Sequence, residues 1–183
     1  MTEINDKYDH VGEFYQGVAI VVKNDKHGAI MIGGKEIVPP IYDELSEFKD
    51  GYAVAKWNNE ERVVNLSGQI RVFKCDQEIF LPEEYDWGFD FVDNICVVVK
   101  GDKYGVIDCH FNVMQECEYD SFSSYRNGYG IFSKYRYSEW SDDVWSENFL
   151  IDNDGKVQYK IKESFVKCGG SKEAVTFIEN KAN

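Results

Sequence analysis

Side chains able to do chemistry are sparse in this chain. Its 183 residues include three His and five Cys, and none falls into the spacing that a metal or an activated nucleophile requires. His10, His27 and His110 stand at unrelated places, and no HExxH, GxSxG, Walker A or GxGxxG string occurs. Cys109, His110 and Cys117 sketch part of a thiolate–imidazole site, but a structural zinc takes four ligands, usually in paired short spacings, and the fourth is missing. No catalytic residue, metal or cofactor is therefore expected. A sharper candidate is a set of recurring acids, Asp9, Asp43, Asp86 and Asp120, which could align as a carboxylate ladder for cations. The structural alternative is stronger. An Asp that opens a turn accepts backbone N–H groups, and a residue that maintains the fold must recur in every copy.

Those acids belong to a repeat. Tyr-Asp occurs at Tyr8-Asp9, Tyr42-Asp43, Tyr85-Asp86 and Tyr119-Asp120, at intervals of 34, 43 and 34 residues. Six positions after each Tyr stands an aromatic (Phe14, Phe48, Phe91, Tyr125), and three further on comes Gly17, Gly51, Asn94 or Gly128. Gly and Asn tolerate a left-handed backbone, so this position reads as a tight turn. Strands follow: GVAIVVK, GYAVAKW, NICVVVK and GYGIFSK. The second residue past each turn is small (Ala19, Ala53, Cys96, Gly130), which predicts a neighbouring backbone or a large ring packed against it, the best candidate for the ring being the recurring aromatic of an adjacent unit.

A polar turn such as NDKHG or GDKYG leads to a second strand and a short third one, and Pro39 or Pro82 marks the connection to the next unit. The expected architecture is all-β: four antiparallel three-stranded meanders at about 8–41, 42–84, 85–118 and 119–160, stacked as an open solenoid-like or a barrel-like array. Residues 161–183 form a tail in which Ser171, Val175 and Ile178 suggest a short capping helix.

The pattern resembles the WG β-repeat family, found mostly in bacteria. Its units run aromatic-x-x-Gly, apolar strand, Lys-aromatic-Gly, short strand, Gly-Lys, Pro and Tyr-Asp. Lys26-His27-Gly28 and Lys103-Tyr104-Gly105 stand at the family's Lys-Trp-Gly, with the Trp replaced; Glu60-Glu61-Arg62 occupies that place in the second unit. The resemblance spans residues 8 to about 159 and implies an interaction surface rather than a shared activity.

Two features set individual copies apart. The fourth unit carries KYRYSEWSDDVWSEN (134–148), in which Tyr135, Tyr137, Trp140 and Trp145 are interspersed with Asp142, Asp143 and other acids. Tyr and Trp are typical interface anchors, and insertions in repeats tend to lie on the functional face. The second unit is lengthened near Lys74–Ile79. From Asp76 to Asp93 the chain holds seven acids and no base, Glu83 and Glu84 among them.

A formal charge of −13 argues against a nucleic-acid backbone as ligand, and electrostatic steering would favour a basic protein. No apolar run approaches the ~20 residues of a membrane span. The odd Cys count and the absence of a basic-then-apolar leader predict a reduced, cytoplasmic protein without structural disulfides. The expected function is a non-catalytic protein-binding module, in its sharper form an acidic, immunity-type antagonist of a basic partner. Expected contacts are Tyr135, Tyr137, Trp140, Asp142, Asp143 and Trp145, with Glu83 and Glu84. The competing class is a ligand-binding or enzymatic domain with a pocket between repeats.

Overall fold

A computed structural model describes residues 7–126, 128–137, 144–168 and 171–179, with side chains described up to residue 160, Ser124 and Arg126 excepted. Every described element is a strand. The first repeat contributes β1 (His10–Val11), β2 (Val18–Lys23), β3 (Lys26–Met31) and β4 (Glu36–Tyr42). The second contributes β5 (Glu44–Leu45), β6 (Tyr52–Trp57), β7 (Glu60–Asn65), β8 (Arg71–Lys74) and β9 (Gln77–Phe80). The third holds β10 (Trp87–Gly88), β11 (Ile95–Lys100), β12 (Lys103–Asp108) and β13 (Val113–Tyr119). The fourth holds β14 (Ser121–Arg126), β15 (Tyr129–Tyr137), β16 (Val144–Asp152), β17 (Val157–Cys168) and β18 (Ser171–Glu179). Described pairings are antiparallel between consecutive strands, and none of the sheets closes on itself. No helix long and apolar enough to cross a membrane is present among the described residues.

Three expectations are corrected. Each meander gains a short leading strand, because the residues just after Tyr-Asp pair with the next strand, as in His10↔Val22 and Glu44↔Lys56. The capping helix expected from Ser171 is strand β18, paired in register with β17 (Cys168↔Ser171, Lys160↔Glu179). The run Ala-Val-Thr-Phe-Ile is rich in β-branched and aromatic residues, and the lengthened β17 offers it an edge. The second unit's extra residues are no loop: β8 and β9 form a hairpin of their own, turning at Cys75 (φ 46°) and Asp76 (φ 63°).

The recurring turn is the expected one. Gly17, Gly51, Asn94 and Gly128 all have left-handed φ, 86°, 84°, 68° and 80°. In the first three copies the preceding residue (Gln16, Asp50, Asp93) is left-handed too, which makes a two-residue primed turn. The strand flanks close it with a reciprocal bond pair, such as Tyr15 N to Val18 O at 2.9 Å and Val18 N to Tyr15 O at 3.0 Å.

The small position is equivalent in every copy. Ala19, Ala53, Cys96 and Gly130 lie opposite Ile30, Val64, Ile107 and Ile151, each of which is fully buried. In the fourth copy the ring over it comes from the same unit, not an adjacent one. A Cβ built on Gly130 would lie 2.5 Å from the Tyr125 ring, because Tyr125 is the cross-strand partner of Gly130.

The chain divides into two compact units, Met1–Gly88 and Phe89–Asn183. In the first, Trp87 is buried against Tyr42 (ring centroids 6.0 Å apart) and Trp57 (5.7 Å), with the Arg62 guanidinium 5.9 Å from its ring. The Tyr42 hydroxyl donates to the Asp86 carbonyl at 2.6 Å, and burial, with the Asp86 charge, holds it protonated far above its usual range. In the second, Ile95, Val97, Val106, Tyr119, Phe132 and Ile151 form the core, overlaid by Phe122 and Phe149.

Candidate interaction surface

Three of the recurring Asp residues, Asp9, Asp43 and Asp120, each bind a backbone N–H fifteen positions on. Oδ2 of Asp9 accepts from Asn24 N at 2.6 Å, that of Asp43 from Asn58 N at 2.8 Å, and that of Asp120 from Tyr135 N at 2.5 Å. In the first two repeats this bond ties the start of the repeat to its hairpin tip, and in the fourth, whose hairpin is longer, it reaches Tyr135 within β15. Oδ1 takes a lysine from the preceding repeat: Lys26 at 2.5 Å on Asp43, and Lys103 on Asp120. Those are the lysines of Lys-aromatic-Gly, so the two halves of the repeat pattern meet in space.

The glycine of that motif is set by close approach. A Cβ on Gly28 would lie 2.6 Å from the Val38 carbonyl oxygen, and one on Gly105 would lie 2.8 Å from that of Gln115. At both places the third strand bulges over the second. In the second copy Arg62 fills the glycine position, and Val64 bridges Ile70 just before the β8–β9 hairpin. Bound in this way, Asp9, Asp43 and Asp120 serve the fold rather than a ladder of cation ligands. No group of three or more His, Cys, Asp or Glu arranged to hold a metal occurs among the described residues.

The copy-specific segments are placed as follows. The described parts of the fourth-unit insertion lengthen β15 and β16 to nine residues each. Tyr135 pairs with Ser146, Arg136 with Trp145, and Tyr137 with Val144. Tyr135 and Tyr137 therefore share the outer face, and Trp145 occupies the opposite one. Trp140, Asp142 and Asp143 lie outside the described residues. The register adds Tyr129, Ile131 and, across β16, Tyr159 to the outer face. This outer stripe is exposed, with Tyr137 at 75% and Tyr159 at 51%. Ser121 Oγ lies 3.0 Å from the Tyr135 hydroxyl, and Ser146 is buried opposite it.

The inner face is a charged lid on the core. Lys134 sits 4.8 Å from the Tyr119 ring and pairs with Glu118 at 2.5 Å. Glu147, its side chain 12% exposed, is held by Lys160 at 3.1 Å and Arg136 at 3.7 Å. Burial, together with the Glu118 charge, pushes the Tyr119 hydroxyl up to about 12.

Glu83 and Glu84 are exposed at the centre of a turn closed by Tyr85 N to Pro82 O at 3.1 Å. They belong to the first unit, whereas the tyrosine stripe belongs to the second. The acidic stretch is not one patch: Asp76 sits at a hairpin tip and Glu78 pairs with Arg71 at 2.9 Å.

Sequence reasoning missed a groove of about 390 Å³ where the first two repeats meet, with Phe14, Tyr15 and Phe48 on its walls and Glu13 and Glu47 at its rim. The recurrence of Glu-Phe at 13–14 and 47–48 was the available signal.

Short antiparallel meanders, joined by a Lys–Asp clasp between the first and second and between the third and fourth copies, and lengthened in single copies, define a tandem β-repeat protein. The WG containing repeat profile matches residues 7–26, 33–60, 76–104 and 104–135, more than half of the chain, and the chain belongs to that family. Comparison with curated proteins and with solved structures gives no match.

Proposed function

We propose that this chain is a non-catalytic protein-binding module that engages its partner through the outer face of the fourth repeat. The observation that carries the reading is the exposed stripe of Tyr129, Ile131, Tyr135, Tyr137 and Tyr159 on a sheet lengthened in that copy alone. Tyrosine gives a large, rigid contact with a polar tip at small entropic cost, which suits an interface. The side chains of this stripe lie on the face opposite the core. The non-catalytic part rests on the carboxylates of Asp43 and Asp120, which are spent on backbone N–H groups and lysines. Charge supports the finer form, an acidic antagonist of a basic protein, since −13 would steer a cationic partner.

The register defines a clean test. Lys134 and Glu147 correspond to Lys23 and Lys26, which flank the two-residue turn Asn24-Asp25. Replacing residues 135–146 by Asn-Gly should restore the length of the first copy and keep the Asp120 cap. Affinity capture from the native host with the full chain should retain a protein that the trimmed variant loses. Equal retention by both folded proteins would reject this surface.

A further inference from the structure

The groove between the first two repeats is independent of the tyrosine stripe. It has apolar walls, Phe14, Tyr15, Val18 and Phe48, and its charged lining is Glu13 and Glu47, with no Lys or Arg in the lining. Phe48 is buried, whereas Tyr15 is 60% exposed, so one wall is fixed and the other is open to a ligand. A second groove of about 440 Å³ adjoins it, built from equivalent positions one repeat on: Ser46 for Gly12, Glu47 for Glu13, Lys49 for Tyr15 and Tyr52 for Val18. The two grooves share Glu47, so they lie side by side, one step per repeat.

The steps differ in charge. The first offers two carboxylates beside aromatic rings, and the second offers one carboxylate and a lysine. A long basic side chain fits the first step well: its methylene stem lies on apolar surface, its head favours an aromatic face, and carboxylates at the rim bind that head. Two neighbouring grooves in successive repeats suit a cation carried on an extended chain, whose backbone can continue into the second step.

We propose that this pair of grooves docks an extended basic peptide segment of a protein partner, with one Lys or Arg side chain seated against Phe14, Tyr15 and Phe48 and its head at Glu13 and Glu47. The occupant is a peptide rather than a free amine because the groove repeats along the chain and a single small cation would use only one step.

Fluorescence anisotropy of the full chain with labelled tetralysine tests this, with its Nε-acetylated counterpart as comparison and free spermidine as competitor. Acetylation should weaken binding at least tenfold. Glu47→Gln, Glu13→Gln and Tyr15→Ala, all at exposed positions, should each weaken it about fivefold. Asp102→Asn, which removes one charge from a side chain 89% exposed in the other unit, should change it less than twofold. The hairpin-trimmed variant should bind tetralysine normally, which separates this site from the tyrosine stripe. Equal losses for Glu47→Gln and Asp102→Asn would reduce the binding to diffuse charge and overturn the proposal. So would spermidine competing at concentrations as low as unlabelled tetralysine, or acetylated peptide binding unchanged.

Discussion

Lys26 Nζ meets Asp43 Oδ1 at 2.5 Å across seventeen positions of the chain, joining the hairpin of one repeat to the opening of the next. Lys103 and Asp120 repeat the contact at the same separation. Because Asp43 also caps the Asn58 turn, one carboxylate holds two repeats and one hairpin tip in register.

Removing that carboxylate separates the two jobs. Asp43→Ala loses the turn cap and the lysine together and should cost about 1–2 kcal/mol, since the ion pair itself is half-exposed and adds little. Asp43→Asn keeps an acceptor for Asn58 N and should cost roughly half as much. Urea unfolding of the three proteins reads the difference, and identical midpoints would mean the clasp is incidental.

Acid should undo the same contacts. Hydrogen bonding from Lys26 and from Asn58 N–H holds the Asp43 carboxyl below its usual range. Asp120 is partly buried, which works the other way, but Lys103 and Tyr135 N–H still hold it low. Both carboxyls take up a proton less readily folded than unfolded. The stability they contribute is therefore present above the ordinary value of about 3.9 and lost as pH falls through the lower, folded values. Melting temperature should fall below about pH 4, and the Asp43→Asn/Asp120→Asn double variant should be lower at neutral pH but change less between pH 5 and pH 3. Parallel curves for both proteins would show that these groups do not titrate with unfolding.

A third prediction comes from one copy departing from the others. Asn65, Asp108 and Asp152 each use Oδ1 to accept two N–H groups of the following turn, such as Ser67 N at 2.9 Å and Gln69 N at 3.0 Å. Met31 holds that place in the first repeat with the same backbone bond, Met31 N to Lys35 O at 2.8 Å, and no side-chain oxygen. Met31→Asn should stabilise the protein by about 0.5–1 kcal/mol. A loss of stability would show that the thioether packing outweighs the missing bonds.

The parts of this fold legible in sequence are those whose cause is local and repeated. The turn residues Gly17, Gly51 and Asn94 must be left-handed, the Asp cap needs only its own hairpin, and the small residue at 19, 53, 96 and 130 answers a pairing inside one unit. Contacts set by partners elsewhere were less legible. Ala-Val-Thr-Phe-Ile near the C-terminus fits either a helical or a strand spacing over so few residues, and the edge of β17 decides for strand. Lys-Tyr-Arg-Tyr-Ser alternates with period two, a strand signature hidden by the acids and tryptophans after it. Treating Tyr135, Tyr137 and Trp145 as one cluster failed for that reason: in a strand pair they divide between two faces. The groove at Phe14 and Phe48 needs two repeats brought together, and no single segment displays it.

The outer face of the fourth repeat is the centre of this account, and one measurement tests it most directly: the affinity of the captured partner for the Tyr135→Ala/Tyr137→Ala protein, with its melting temperature. Both rings are exposed and lie off the core, so melting should be nearly unchanged. Truncating interface anchors typically costs about 2 kcal/mol or more, so binding should weaken about thirtyfold. Wild-type affinity in a folded double variant would contradict the account.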